Sequence, residues 1–275
     1  RRCRRMSVLV SGRLFGGLDT RFPEVKDLRS LVLAGGYGTR LGALALNRSK
    51  VLLPVAGRPV VDYLLDRVCE LPDLDEIVVV TNQRFHDDFV EWVSASSRVV
   101  PIRVLNDGTS SAEDRLGAVG DVLYGIENAG IDDDLLVVAG DNLCDFDLRQ
   151  MATVLQTKGS AVAVYDVGDV QAATKFNNLR LDDDGRIRSF EEKPANPTSS
   201  LVAVAIYLFR KADLGLFARY RDEGHNLDVI GGFVQWAHRE TPMYACVYDG
   251  HWWDIGDPEI YAEVNAHFGG SVDSD

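Results

Sequence analysis

Two features of the sequence predict an α/β fold with a Rossmann-like, mixed but mainly parallel central sheet flanked by helices. Short apolar runs alternate with segments of helical period. The glycines and unusual polar residues gather immediately after the runs. A third feature, a more strand-rich second half, adds a smaller β-rich portion to that sheet.

The elements follow in order. Leu31–Ala34 is an apolar run that stops at Gly35-Gly36, as a buried parallel strand would. Val60, Val61, Leu64, Leu65, Val68 and Leu71 have helical spacing. Ile77–Val80 is β-branched and reads as a strand, and Phe85, Phe89, Trp92 and Val93 read as a helix. Ile102–Leu105 is a short strand ending at Asn106-Asp107-Gly108. Ser110-Ser111-Ala112-Glu113 has the form of a capping box and predicts a helix start, with Leu116, Val119, Leu123 and Ile126 on one face. Leu135–Ala139 and Ala161–Val167 are further strands.

In the second half, 178–191 reads as a hairpin turning at Asp183-Asp184-Gly185. An Asp-Gly turn accounts for the three aspartates better than a calcium loop, whose full ligand spacing is absent. Leu201–Phe209 is a strand, and helices are expected near 214–220, 228–237 and 259–268. In sheets of this kind ligands bind beyond the carboxyl ends of the strands. That directs attention to Gly35–Arg40, Asn106–Ser111 and Gly140–Asn142.

The chain of 275 residues carries a net charge of −13 and is 46% hydrophobic, enough for one large core. Residues 1–29 hold eight basic and three acidic side chains and read as a basic extension that need not be ordered. The single domain is then 30–275, where 21 basic residues face 39 acidic ones. Such a body repels nucleic acid and anionic membranes. No apolar run approaches the ~20 residues of a membrane span. Cys3, Cys69, Cys144 and Cys246 form no C-x-x-C pair and read as reduced thiols of a cytoplasmic protein. A homo-oligomer is compatible with the sequence, which does not set the number of subunits.

The strongest local signal is Leu33-Ala34-Gly35-Gly36-Tyr37-Gly38-Thr39-Arg40-Leu41. Glycines at a strand end let backbone N–H groups approach a phosphate, Thr39 adds a hydroxyl, and Arg40 adds a forked cation. The Walker and dinucleotide patterns are both absent, since Leu41 stands where a third glycine would be needed.

With Ser49-Lys50-Val51-Leu52-Leu53-Pro54 and Gly57-Arg58-Pro59 that follow, the sequence resembles the sugar-1-phosphate nucleotidyltransferases. The resemblance continues in order through Gly140-Asp141-Asn142, Glu191-Glu192-Lys193-Pro194 and Trp252-Trp253-Asp254-Ile255-Gly256, and covers about residues 30–268. It implies a nucleotidyltransferase fold, with 30–145 mainly binding an NTP and 146–275 mainly binding a sugar 1-phosphate. It also implies Mg²⁺ held by Asp141 and Asp254, with Arg40, Lys50 and Asp141 at the reacting centre. Leu33, Ala34, Gly35, Gly36, Gly38, Thr39, Arg40, Asn106, Gly108 and Asp141 would bind the nucleotide. Glu192, Lys193 and Asn177 would bind the sugar phosphate.

Two departures bear on the substrates. No glutamine occurs between Asn106 and Asp141, where thymidylyl members place a base-reading one. The segment offers Ser110, Ser111, Glu113 and Asp114 instead, and a carboxylate suits an exocyclic amine better than thymine or uracil. Phe176-Asn177-Asn178 carries a side chain where many members have glycine. Two rivals stay open: a cytidylyl- or adenylyltransferase acting on a non-sugar phosphate, and a non-catalytic nucleotide-binding regulator. The presence of Arg40, Lys50, Asp141 and Asp254 weighs against the regulator.

Overall fold

A computed structural model describes residues 28–269. The chain runs β1 (Leu28–Leu33), two 3₁₀ turns (Thr39–Ala45 and Lys50–Leu52), β2 (Pro54–Val55), β3 (Arg58–Pro59) and α1 (Val60–Val68). It continues through β4 (Leu74–Thr81), α2 (His86–Ser94), β5 (Ile102–Asn106), α3 (Ala118–Ala129), β6 (Asp134–Ala139), β7 (Asn142–Cys144) and α4 (Arg149–Thr157). Next come β8 (Ser160–Asp166), a 3₁₀ turn (Val170–Lys175), β9 (Asn177–Leu181), β10 (Ile187–Glu192) and β11 (Leu201–Phe209). A short turn leads to α5 (Gly215–Asp222), α6 (Ile230–Glu240), β12 (Met243–Tyr248), β13 (Trp252–Asp254) and α7 (Pro258–Gly269).

Seven strands form one sheet in the order β12-β8-β11-β6-β1-β4-β5. β11 runs antiparallel to both its neighbours, and the other pairings are parallel. The sheet is therefore mixed and mainly parallel, as predicted. Both faces are covered because successive strand residues point to opposite sides. On β6, Leu136 and Val138 face α1, α2 and α4 with Leu64, Phe89 and Met151. Leu135 and Val137 face α3, α5 and α6 with Val122, Phe217 and Phe233. A smaller apolar cluster of Val55, Val60, Leu143, Ile255 and Val264 ties α7 to β7 and β13.

Several expectations are corrected. The first strand starts at Leu28, so the boundary of the basic extension at residue 29 is too late. The Arg29 guanidinium pairs with Glu76 and Asp133 inside the fold. Residues 1–27 of that extension, with Cys3, lie outside the described residues. Ser110–Glu113 does not open a helix. The Asp114 carboxylate gathers the Ser110 and Ser111 N–H groups and forms a local turn, and α3 begins only after Gly117. The helix α4 and the strand β12 add to the elements that the sequence predicts.

The 182–185 turn is a hairpin turn. One Asp182 carboxylate oxygen accepts the N–H groups of Asp184 and Arg186, and Gly185 has φ 78°. Cys69, Cys144 and Cys246 are free thiols. No helix among the described residues is long and apolar enough to cross a membrane.

Gly117 shows how closely α3 docks. It has φ 82°, and a Cβ there would lie 2.5 Å from the Leu227 carbonyl oxygen and 2.7 Å from Asp228 Cα. Both neighbours are backbone and cannot swing aside. Gly117→Ala is expected to cost more than ~2 kcal/mol. Chemical denaturation would read this, and an unchanged midpoint would mean that the α3–Leu227 contact is loose.

Candidate active site

The site forms because four segments meet beyond the carboxyl ends of β1 and β6. Gly140 follows β6, and its N–H donates to the Leu33 carbonyl at 3.0 Å. A Cβ on Gly140 would lie 2.8 Å from Val51 Cγ1, so the glycine lets the Lys50–Leu52 turn sit directly on the strand end. Lys50 then reaches across, and its ammonium donates to and pairs with Asp141 Oδ2. Its stem passes the glycine loop, with Cε 3.7 Å from the Cβ position of Gly36.

Asp254 arrives from the far end of the sequence by strand pairing. β13 lies antiparallel to β7 with Asp254 opposite Asn142, and the Ile255 N–H donates to the Asp141 carbonyl at 3.0 Å. Asn142 and Trp252 complete the support. Trp252 Nε1 donates to Asn142 Oδ1 at 2.6 Å, and Asn142 Nδ2 donates to Asp141 Oδ1 at 3.1 Å. One oxygen of Asp141 thus faces Lys50 and the other is steadied from behind. Neither Asn142 nor Trp252 was assigned a role from sequence, although both stand inside motifs that the sequence displays.

The electrostatics follow from two half-buried carboxylates beside one ammonium. Burial pulls the Lys50 pKa down, but the adjoining Asp141 and then Asp254 outweigh it and hold the amine above its ordinary value. Asp254 is pushed up to about 6 by burial and by Asp141, against the pull of Lys50 and Arg40. The pair is therefore short of positive charge. Two hard carboxylate oxygen donors, with room left for phosphate and water, suit a divalent cation of the Mg²⁺ type. Among the described residues no group of three or more His, Cys, Asp or Glu gathers for a metal, so such an ion would depend on substrate oxygens for the rest of its shell.

A cleft of about 490 Å³ opens beside this cluster. Arg40, Lys175 and Lys193 bring positive charge to its wall, Glu192 and Asp254 bring carboxylates, and Trp252 brings an aromatic face. Arg40 lies against Gly256, where a Cβ would be 2.8 Å from Nη2. The Glu192 carboxyl is raised by burial, with Lys193 opposing, and lies against Gly231, where a Cβ would collide with it. Lys193 is a non-glycine residue at φ 46°, a conformation that costs energy and concentrates at functional sites.

The other predicted residues sort into two groups. Gly35, Gly36, Gly38 and Thr39 form the loop after β1. Gly38 takes φ 64°, and Thr39 opens the turn that carries Arg40. Leu33 and Ala34 hold the loop in register: the Ala34 N–H donates to the Val80 carbonyl, and the Ala34 carbonyl accepts from Thr81 Oγ1. A pocket of about 420 Å³ lies between this loop and the Ser110–Glu113 turn.

Asn106, Gly108 and Asn177 are internally engaged. Asn106 donates to Gln83 and accepts from the Gly108 N–H. The Asn177 amide bonds both the N–H and the carbonyl of Ala203, which braces β9 against β11 beneath the cleft wall. Asp114, a base-reading candidate, is occupied by the Ser110–Ser111 turn. His251 stacks on Trp253 and bonds Asp145 at 2.9 Å, so it packs outside the cleft lining.

A larger cavity of about 750 Å³ lies near α1 and α2. Its arginines, Arg58 and Arg98, are already paired with Asp62 and Asp66, and it adjoins none of the residues above.

Known proteins support the same architecture. A protein of Sulfolobus acidocaldarius named for mannose-1-phosphate guanyltransferase activity is 30% identical over 239 residues, which are 86% of this chain and 62% of that protein. A Clostridium acetobutylicum glucose-1-phosphate adenylyltransferase is 26% identical over 256 residues, 87% of this chain and 67% of its own length. The chain thus spans roughly three-fifths to two-thirds of these curated relatives. A UDP-glucose pyrophosphorylase solved with UDP-glucose shares the fold, with TM-score 0.74 and 19% identity over 90% of this chain and 99% of that one. The nucleotidyl transferase family description matches residues 29–269. That match starts one residue into β1, ends with α7 and takes in every segment that converges on Asp141, so the chain belongs to the nucleotidyl transferase family.

Proposed function

We propose that the protein transfers a nucleoside monophosphate from an NTP to a sugar 1-phosphate, giving an NDP-sugar and pyrophosphate. The observation that carries this reading is the convergence of Lys50, Asp141, Asp254 and Arg40 between a glycine loop and a cleft of mixed charge. The acceptor's phosphate oxygen is already a nucleophile, so no serine, cysteine or histidine needs activation. It attacks the α-phosphorus, and the bond to the pyrophosphate oxygen breaks in line. The protein's part is to place two polyanions and offset their repulsion.

Lys50, kept protonated by its carboxylate neighbours, supplies a fixed positive charge at the reacting centre. Arg40 and Lys193 offer cations to the outer phosphates and the acceptor phosphate, and Glu192 accepts from sugar hydroxyls. The loop from Leu33 to Thr39 presents backbone N–H groups to the triphosphate. Asn177 shapes the acceptor wall, and Asn106 and Gly108 shape the nucleoside wall. Asp141 and Asp254 would hold Mg²⁺, which when bound neutralises charge on the transferring phosphate. Residues 30–145 would then mainly serve the nucleotide and 146–275 mainly the acceptor, with Asp254 as the residue that crosses over.

The test is pyrophosphate release with Mg²⁺ across the common NTPs and a panel of sugar 1-phosphates, with polyol phosphates included. Release that needs one NTP and one sugar phosphate together supports the reading. Turnover only with a polyol phosphate, or nucleotide binding without any turnover, overturns it. Within the same assay, Glu192→Gln should raise KM for the sugar phosphate more than about tenfold and leave KM for the NTP within about twofold. Equal changes in both would remove Glu192 from the acceptor site.

A further inference from the structure

Asp121 is a buried acid with no structural task. It sits in the first turn of α3 and is 7% exposed. Its Oδ1 is buried without a hydrogen-bond partner. A carboxyl left this way costs free energy, and folds retain such groups where a ligand uses them.

Its position says which ligand. Asp121 Oδ2 lies 2.6 Å from the point where a Cβ on Gly35 would be, and Asp107 Oδ2 lies 3.4 Å from that same point. Two acid side chains from α3 and the end of β5 therefore meet over Gly35, which only a residue without a side chain allows. The Gly35 peptide is fixed there, because its carbonyl accepts from Asn82 Nδ2 at 2.9 Å. One residue further along, Gly36 faces the Lys50 stem. The loop thus has a phosphate end, marked by Lys50 and Asp141, and an opposite end marked by Asp107 and Asp121.

Asp107 is the one charged group among the described residues that bears on Asp121. An acidic corner without a cation rejects phosphate and accepts hydrogen-bond donors. The Oδ1 of Asp107 already takes the Thr109 N–H and hydroxyl, whereas no hydrogen bond holds the Asp121 Oδ1, so Asp121 is the less committed acid of the two.

We infer that Asp121 is a specificity-determining residue whose carboxyl binds a pair of neighbouring hydrogen-bond donors on the nucleoside of the NTP. Two parts of a nucleoside offer such a pair: the ribose 2′,3′-diol and the N1–H and 2-amino edge of guanine. The inference rests on the NTP-binding half of the proposed function. Burial, aided by Asp107, pushes the Asp121 carboxyl up to about 8. In the free protein at neutral pH it therefore carries a proton and is spared the full cost of a buried charge, and it releases that proton to solvent when the two donors engage the carboxylate.

The experiment is titration calorimetry of wild type, Asp121→Ala and Asp121→Asn with GTP, ITP, 2′-deoxy-GTP, ATP and tripolyphosphate, alongside turnover and thermal unfolding of all three. Asp121→Ala should weaken binding of the preferred NTP at least tenfold and leave tripolyphosphate binding unchanged. Its melting point should stay equal or rise, because an unpaired carboxyl has been removed. A penalty that disappears with 2′-deoxy-GTP assigns the ribose, and one that disappears with ITP assigns the guanine edge. In the variants' turnover the loss should appear in KM for the NTP, with kcat within a few-fold.

Equal losses for every ligand including tripolyphosphate, or unchanged affinity for all of them, would overturn the inference. So would a fall in melting point in both variants, which would mark Asp121 as structural. Wild type that binds NTP but turns over no acceptor would sink the proposed function and leave this inference standing.

Discussion

Changing Asp141 to asparagine is expected to lower kcat for pyrophosphate release by at least about a hundredfold, with the fold retained. Asparagine keeps the size of the side chain, so the bonds from Trp252 to Asn142 and from Asn142 onward can persist. The charge is what goes. Lys50 loses the carboxylate that chiefly offsets its burial, and under the proposed function a cation held between residues 141 and 254 would lose one of two anionic donors. Both effects act on the reacting phosphate. Lys50→Ala should give a loss of similar order, and the double variant should lose little more than either single, because the two act as a unit. The Mg²⁺ concentration for half-maximal rate should rise in Asp141→Asn. A decrease of only a few-fold in kcat, with unchanged Mg²⁺ dependence, would remove Asp141 from the reacting centre.

A second large effect concerns stability and pH. Asp121 has its folded-state pKa raised to about 8 from an ordinary carboxylate value. Between about pH 4 and pH 8 the folded protein keeps a proton that the unfolded chain releases. Stability contributed through this group therefore falls as pH rises through that window and levels off above it. The ceiling is on the order of 5 kcal/mol. Asp107 is the neighbouring charge, and it adds to the effect in the same direction.

Asp121→Asn abolishes the titration. The difference in unfolding free energy between the variant and wild type should widen in the variant's favour by a few kcal/mol from pH 5 to pH 8. Urea denaturation at the two pH values measures it, and the subtraction cancels the titrating groups that are not linked to Asp121. Parallel pH profiles would mean that Asp121 ionises normally in the folded state.

Much of this site can be read from the chain alone. Gly35–Arg40 reads as a phosphate-binding loop from its residue types, the resemblance picks out Lys50, Asp141 and Asp254, and the structure brings those three together. Where local reading fails, a competing interaction is visible. The Ser110–Glu113 capping signal is real as a pattern, but Asp114 takes the same N–H groups into a turn. Gly117 at φ 82° then re-aims the chain before α3. β12 is short and finds its identity only by pairing in parallel with β8, a partner some eighty residues earlier.

By itself the sequence determined the mainly parallel sheet, because runs such as Leu31–Ala34 and Leu135–Ala139 can be satisfied only by burial on both faces. It also determined the order of the motifs around that sheet. Tertiary structure alone decided three things. The β7–β13 pairing sets Asp254 beside Asp141. The amides of Asn106 and Asn177 turn inward to brace the walls. Asp121, one polar position on an amphipathic helix, ends up buried against Gly35. Each depends on contacts between residues far apart in the chain, and side-chain type and local spacing carry no record of which distant backbone will lie opposite.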